Sequence, residues 1–110
     1  MREVWVRGGS VTLFGRQPDR SARDLVEEVV SGALRDAGLG VEDVQAVYVG
    51  NALAGLMTGQ ESMRGQVVLR RTGLLGLPIV NVENLCTSSS TAVHLGWQAV
   101  ASGFRWGLVR

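Results

Sequence analysis

Between residues 22 and 37 the apolar positions Leu25, Val26, Val29, Val30, Ala33, Leu34 and Ala37 recur at three- and four-residue spacing, with Glu27, Glu28, Arg35 and Asp36 between them. That period predicts an amphipathic helix. Ser21 before it and Asp24 three residues on form a pair of the capping-box kind, and Gly38 is placed to end it. The remaining apolar residues fall in shorter runs. Val4-Trp5-Val6 and Val11-Thr12-Leu13-Phe14, interrupted by Gly8-Gly9, predict one bulged strand or two short ones. Val44 to Val49 predicts a strand closed by Gly50-Asn51, and Ile79 to Glu83 predicts another. Residues 52–62 read as irregular. A shorter helix is expected from Met63 to Thr72, ended by Gly73. A long one is expected from Cys86 to Ser102, ended by Gly103, and Trp106 to Val109 begins a fourth strand.

Strand, helix, strand, helix, strand, helix, strand is the order of an α/β fold with a mostly parallel sheet covered by helices. No repeat, low-complexity tract or linker divides the chain. The third helix carries no charged residue, which predicts burial on most of its sides. Gly96 in its middle predicts a close approach by another backbone, since an exposed helical glycine costs about 1 kcal/mol relative to alanine. A chain of 110 residues offers little to cover such a helix.

Composition narrows the function. Eleven basic residues, all arginine, stand against ten acidic ones, for a net charge of +1. A nucleic-acid binder would show a basic patch or stripe, and none is expected here. One cysteine excludes an intramolecular disulfide framework, and no Cys/His spacing suits a metal. Arg2, Glu3 and Arg7 without a long apolar run behind them argue against a secretory signal. The uncharged stretch Asn84–Phe104 is long enough to span a bilayer, but its many hydroxyl and amide groups are unsuited to hydrocarbon. A reducing, cytoplasmic setting is the expectation.

Cys86 stands where the strand at 79–83 hands over to the long helix. A thiolate is the reactive form of cysteine, and a helix N-terminus favours negative charge. The free N–H groups from Thr87 to Ser89 are donors for a thiolate or an oxyanion. Position alone also allows a small buried hydrophobe. His94, the sole histidine, lies about 12 Å further along the same helix, too far to serve the sulfur, and reads as a structural polar group. The run Thr87-Ser88-Ser89-Ser90-Thr91 reads either as capping and back-bonding or as a polar lining beside the sulfur. Gly55, Gly59 and Gly65 have no following Gly-Lys-Ser/Thr, which excludes a phosphate loop. Arg64, Arg70 and Arg71 form a basic cluster, read as a solvated face with anion binding the minor alternative.

The segment from Asn81 to Ala92, with Cys86 inside it, resembles the nucleophile segment of the thiolase family. Phe14-Gly15-Arg16, Ala33 to Leu39, Gly50-Asn51, Gly59-Gln60, Arg64-Gly65-Gln66 and Ala99 to Gly103 resemble that family's N-terminal landmarks in the same order. The resemblance covers essentially the whole chain. It implies a thiolase-like fold of which residues 1–110 are an incomplete N-terminal domain, roughly the first quarter. It further implies acyl transfer between coenzyme A and a carbon nucleophile, of the acetyl-CoA C-acyltransferase type, with Cys86 taking the acyl group as a thioester. The substrate is then an acyl-CoA thioester, with no permanently bound cofactor, no metal and no assignable cofactor-binding residue. The expected partners are further copies of the chain or a complementing thiolase-like chain, with no nucleic acid and no membrane span.

The sequence departs from the family pattern at Ser89, where a glycine is common, and at Arg105-Trp106, which replace a more acidic turn. The family's activating histidine and second cysteine lie beyond Arg110, where the chain stops inside a strand. The isolated chain is therefore expected to be inactive or nearly so. Two alternatives accompany this reading: a non-catalytic subunit of a split or heteromeric assembly, and a thiolase-fold lyase cleaving CoA thioesters by retro-aldol chemistry.

Overall fold

A computed structural model describes residues 1–103, so the fourth strand expected at Trp106–Val109 lies outside the described residues. The elements are α1 (Ala22–Ala37), a 3-10 turn (Val41–Asp43), β1 (Val47–Gly50), α2 (Ala54–Thr58), α3 (Arg64–Val68), β2 (Ile79–Val82) and α4 (Ser88–Ala101). The fold is α/β: β1 and β2 pair in parallel, with Val47 opposite Ile79 and Gly50 opposite Val82.

Helix α1 follows from its end signals. The Ser21 hydroxyl accepts from the Asp24 N–H at 3.2 Å, and the Asp24 carboxylate accepts from the Ser21 N–H at 2.7 Å, a complete capping box. These hydrogen bonds, the backbone one foremost, together with Arg71 and Arg20 nearby, hold the Asp24 carboxyl below its ordinary range. Gly38 closes the helix at φ 69°, a left-handed angle that glycine adopts without strain.

Alternate strand residues face opposite sides, and the neighbours of each side identify the layers. A Cβ on Gly65 of α3 would meet Val49, Ile79 and Asn81, whereas one on Gly96 of α4 would meet Tyr48. Helices α3 and α4 therefore cover opposite faces, and α1 packs on α3 outside. The buried apolar residues are Leu69, Leu74, Val82, Ala92 and Ala101.

Three expectations are corrected. Residues 1–20 form no strand: their backbone is tied by Arg2 N–H to the Ala101 carbonyl (3.0 Å) and Gly9 N–H to the Asp36 carboxylate (2.9 Å). A strand needs a neighbour to hydrogen-bond along its length, and this segment runs past helix ends instead. Its Trp5, Val6, Leu13 and Phe14 stay exposed. Residues 52–72 hold two five-residue helices, α2 and α3, in place of one helix from Met63 to Thr72. Helix α4 is buried on one side only; Val93 (73 %), Trp97 (42 %) and Val100 (51 %) remain exposed, because no described element lies over them. No described helix is long and apolar enough to cross a membrane.

Gly96 is also not the point of close approach, since its Cβ would lie 3.8 Å from the Tyr48 ring. That point is Gly50. A Cβ there would stand 2.7 Å from backbone atoms of Ser88 and Ser89, so the end of β1 touches the first turn of α4 directly.

Candidate active site

The site is the loop from Glu83 to Thr87, between the end of β2 and the start of α4. Asn51 N–H donates to the Val82 carbonyl at 3.1 Å, which ties the exit of β1 to the end of β2. Gly50, one residue earlier, lets the first turn of α4 settle against the same edge. Two strand ends and a helix start thus converge at the carboxyl edge of the sheet, where parallel α/β folds place their sites.

Inside the loop the backbone reverses sharply. Leu85 sits at φ 49°, a left-handed angle that costs a leucine about 1–2 kcal/mol. Several hydrogen bonds hold it there. Leu85 N–H donates to the Glu83 carboxylate at 3.2 Å, and the Leu85 carbonyl accepts from the Ser88 hydroxyl at 2.7 Å. The same Ser88 oxygen accepts from Asn84 N–H at 2.8 Å. The Asn84 carbonyl accepts from the Thr87 hydroxyl at 2.7 Å, and the Asn84 amide donates to the Thr91 hydroxyl at 3.1 Å.

Cys86 follows Leu85 on this loop and is exposed. The alternative of a small buried hydrophobe is thereby removed. Helix α4 begins two residues later without a side-chain cap, because the Thr87 hydroxyl turns back to Asn84. Of the donors expected from Thr87 to Ser89, Thr87 N–H and Ser88 N–H are taken by the Asn84 and Leu85 carbonyls, at 3.1 Å each. The first-turn N–H groups of Ser89 and Ser90 therefore carry the positive end of the helix without a side-chain cap. An exposed thiol beside such a helix end suits nucleophilic attack on an electrophilic carbon, followed by stabilisation of the developing oxyanion.

The hydroxyl run divides between its two readings. Thr87, Ser88 and Thr91 build the loop, while Ser89 and Ser90 are exposed at the helix start. His94 is exposed and stacks on Trp97, ring centroids 5.8 Å apart, on α4, whereas Cys86 lies on the loop before that helix. The expectation that it sits on a buried helix is corrected, and the structure does not bring it to Cys86.

The arginine cluster separates as well. Arg71 pairs with Glu27 (3.0 Å) and Asp24 (3.5 Å), and Arg70 is exposed. Arg64 is half-buried and donates to the Asn51 carbonyl at 3.4 Å. Beside it lies a cavity of about 40 Å³, lined by Val49, Asn51, Arg64, Asn81, Val82 and Glu83, just behind the cysteine loop.

Sequence reasoning singled out Cys86 but not Glu83, Leu85 or Gly50 as its support. A glycine closing a strand was a usable signal for Gly50. No sequence signal marks Leu85, since leucine seldom adopts positive φ.

Comparison with known proteins identifies the family of the chain. The family model described as thiolase, N-terminal domain, matches residues 4–105. An acetyl-CoA acetyltransferase of Methanothermobacter thermautotrophicus is 42 % identical over 104 residues, covering 94 % of this chain and 27 % of that protein. The acetyl-CoA acetyltransferase of Methanocaldococcus jannaschii is 38 % identical over 103 residues, covering 94 % and 26 %. The chain thus spans about a quarter of the length of these relatives. Among solved structures, the 3-oxoacyl-[acyl-carrier-protein] synthase III from Aquifex aeolicus VF5 superposes with a TM-score of 0.65 over 79 % of this chain and 27 % of that one. At 17 % identity that likeness concerns the fold alone.

Proposed function

The chain belongs to the thiolase family, and from that premise we propose that it is the nucleophile-bearing part of an acyltransferase acting on acyl-CoA thioesters. The observation that carries the reading is Cys86 itself, exposed on a tightly hydrogen-bonded loop against the uncapped start of α4. In the first step the Cys86 thiolate attacks the thioester carbonyl. A bond from Sγ to the acyl carbon forms, the bond from that carbon to the CoA sulfur breaks, and CoA leaves as its thiolate. The first-turn N–H groups of α4, left without a side-chain cap, are fixed dipoles suited to the tetrahedral oxyanion.

The second step is either Claisen condensation with an α-carbanion or thiolysis by CoA, and both require proton transfer at an α-carbon or a thiol. This chain has one cysteine and one histidine, and His94 is turned to Trp97. The proton-transfer groups therefore come from outside residues 1–110, and the isolated chain stops at the acyl-thioester. The reading includes a cytoplasmic reaction and no permanently bound cofactor.

Counting CoA released from acetyl-CoA tests this. One equivalent or less per chain, in a single phase, is the expected result. Sustained release over many turnovers would overturn the incompleteness of the site.

One observation favours a second reading, in which the chain is a subunit docked on a complementing thiolase-like chain. Val93, Trp97 and Val100 form an open apolar stripe on α4, on one side of a helix whose other side is packed on the sheet. Co-purification with a second thiolase-like chain supports it. A stable monomer with full amide protection in α4 counts against it.

A further inference from the structure

Resting on the reading of Cys86 as the acyl acceptor, we propose that Ser88 is the positioning residue of that nucleophile, its buried hydroxyl locking the loop that aims the sulfur. Ser88 is 3 % exposed and is the buried polar side chain among the described residues. Its hydroxyl is used in both directions, accepting from Asn84 N–H at 2.8 Å and donating to the Leu85 carbonyl at 2.7 Å. One hydroxyl offers a single proton and two lone pairs, so few other side chains of that size could make both contacts. Asn84, Leu85 and Ser88 flank Cys86 on both sides, and the Ser88 hydroxyl closes a small ring around it.

The ring has a task because of Leu85. A leucine at φ 49° persists only where its surroundings hold it. The Leu85 carbonyl accepts from both the hydroxyl and the backbone N–H of Ser88, the latter at 3.1 Å, while Leu85 N–H is held by Glu83. Ser88 is in turn fixed, because its backbone lies against Gly50 at the end of β1. The anchor is therefore the sheet, and the hydroxyl transmits it to the loop. The backbone angles of Leu85 set the direction in which the next residue leaves, which is Cys86. Without the hydroxyl, Asn84 N–H loses its acceptor and Leu85 keeps only the Ser88 N–H and the Glu83 carboxylate, so its left-handed angle is held less firmly. The Cys86 backbone then leaves the loop in another direction and carries its side chain with it.

Alkylation of Cys86 by iodoacetamide, followed by mass in the full 110-residue chain at fixed pH, reads this directly. Cys86 is already exposed, so loosening the loop gives the reagent no new access, and a slower reaction reports lost alignment. Ser88→Ala is expected to react about tenfold more slowly with its helical circular dichroism retained. Adding Leu85→Gly to Ser88→Ala is expected to restore the rate to within about threefold, because glycine holds positive φ unaided. A merely structural role for Ser88 would lower the melting temperature and leave this pattern absent. Should Ser88→Ala not fold, Glu83→Ala and Glu83→Gln remove the same charge from an exposed side chain, but only glutamine keeps an acceptor for Leu85 N–H. The alanine variant must then be slower by several-fold. Wild-type alkylation rates in Ser88→Ala, or equal rates in the two Glu83 variants, would overturn the proposal. Exposure of each variant to acetyl-CoA separates the two claims. If no variant is acylated while the alkylation order holds, the acyl-acceptor reading fails and the positioning of the sulfur stands.

Discussion

Replacing Gly50 by alanine should destabilise the protein, and replacing Gly96 should not. The added Cβ at position 50 would meet the Ser88 carbonyl carbon and the Ser89 N and Cα, each at 2.7 Å. All three are backbone atoms, so no side chain can swing aside and α4 must move off the sheet. Overpacking of this kind costs about 1–3 kcal/mol, offset by about 0.5 kcal/mol from the reduced freedom of the unfolded chain. A net loss of about 1–2 kcal/mol lowers the melting temperature by about 5–15 °C in a chain of this size. At Gly96 the new Cβ would stand 3.8 Å from the Tyr48 ring, an ordinary contact. Alanine there gains up to about 1 kcal/mol of helix propensity and raises the melting temperature by a few degrees. Thermal unfolding of the two variants, followed at 222 nm by circular dichroism, checks both signs at once. A Gly50→Ala variant as stable as the parent would refute the close contact between β1 and α4 on which the site geometry rests.

Leu69, 2 % exposed, anchors the contact beyond α3, and Leu69→Ala should cost about 2–5 kcal/mol, enough to unfold much of the population in a urea titration. The Asp24 carboxyl is held below its ordinary range, first by its hydrogen bonds to Ser21 and then by Arg71 and Arg20. Its contribution to stability is therefore present above the ordinary carboxylate range and is lost as pH falls through the depressed value. Unfolding curves recorded across acidic pH should show a steeper loss for the parent than for Asp24→Asn, and parallel curves would contradict this.

How far the sequence discloses this molecule depends on the kind of signal each part leaves. Helix α1 is legible to its ends because Ser21, Asp24 and Gly38 carry the end chemistry locally. Strands β1 and β2 are legible in place; β1 starts three residues later than the expected Val44 and β2 ends one residue before Glu83, since pairing extends only where the two strands overlap. Residues 4–14 have strand composition but no pairing partner among the described residues, and composition cannot supply one. The uncharged α4 reads as buried on most sides because hydropathy reports the tendency to be covered, and not whether a covering element is present. Cys86 is legible as a thiol at a strand-to-helix junction, where the structure leaves it exposed. Its support is not: the left-handed Leu85 and the doubly bonded Ser88 hydroxyl depend on a loop path that no spacing encodes. Gly50 lies between these cases, marked as a turn by sequence and as a point of contact only by the fold.

Peptide mapping by mass spectrometry after incubation with acetyl-CoA reads whether Cys86 accepts an acyl group from an acyl-CoA thioester. A single acetyl adduct is expected on the peptide containing Cys86, reversed by hydroxylamine and absent from Cys86→Ala. A protein whose Cys86 alkylates readily with iodoacetamide yet carries no acetyl group after acetyl-CoA, or carries it elsewhere, does not use Cys86 as its acyl acceptor.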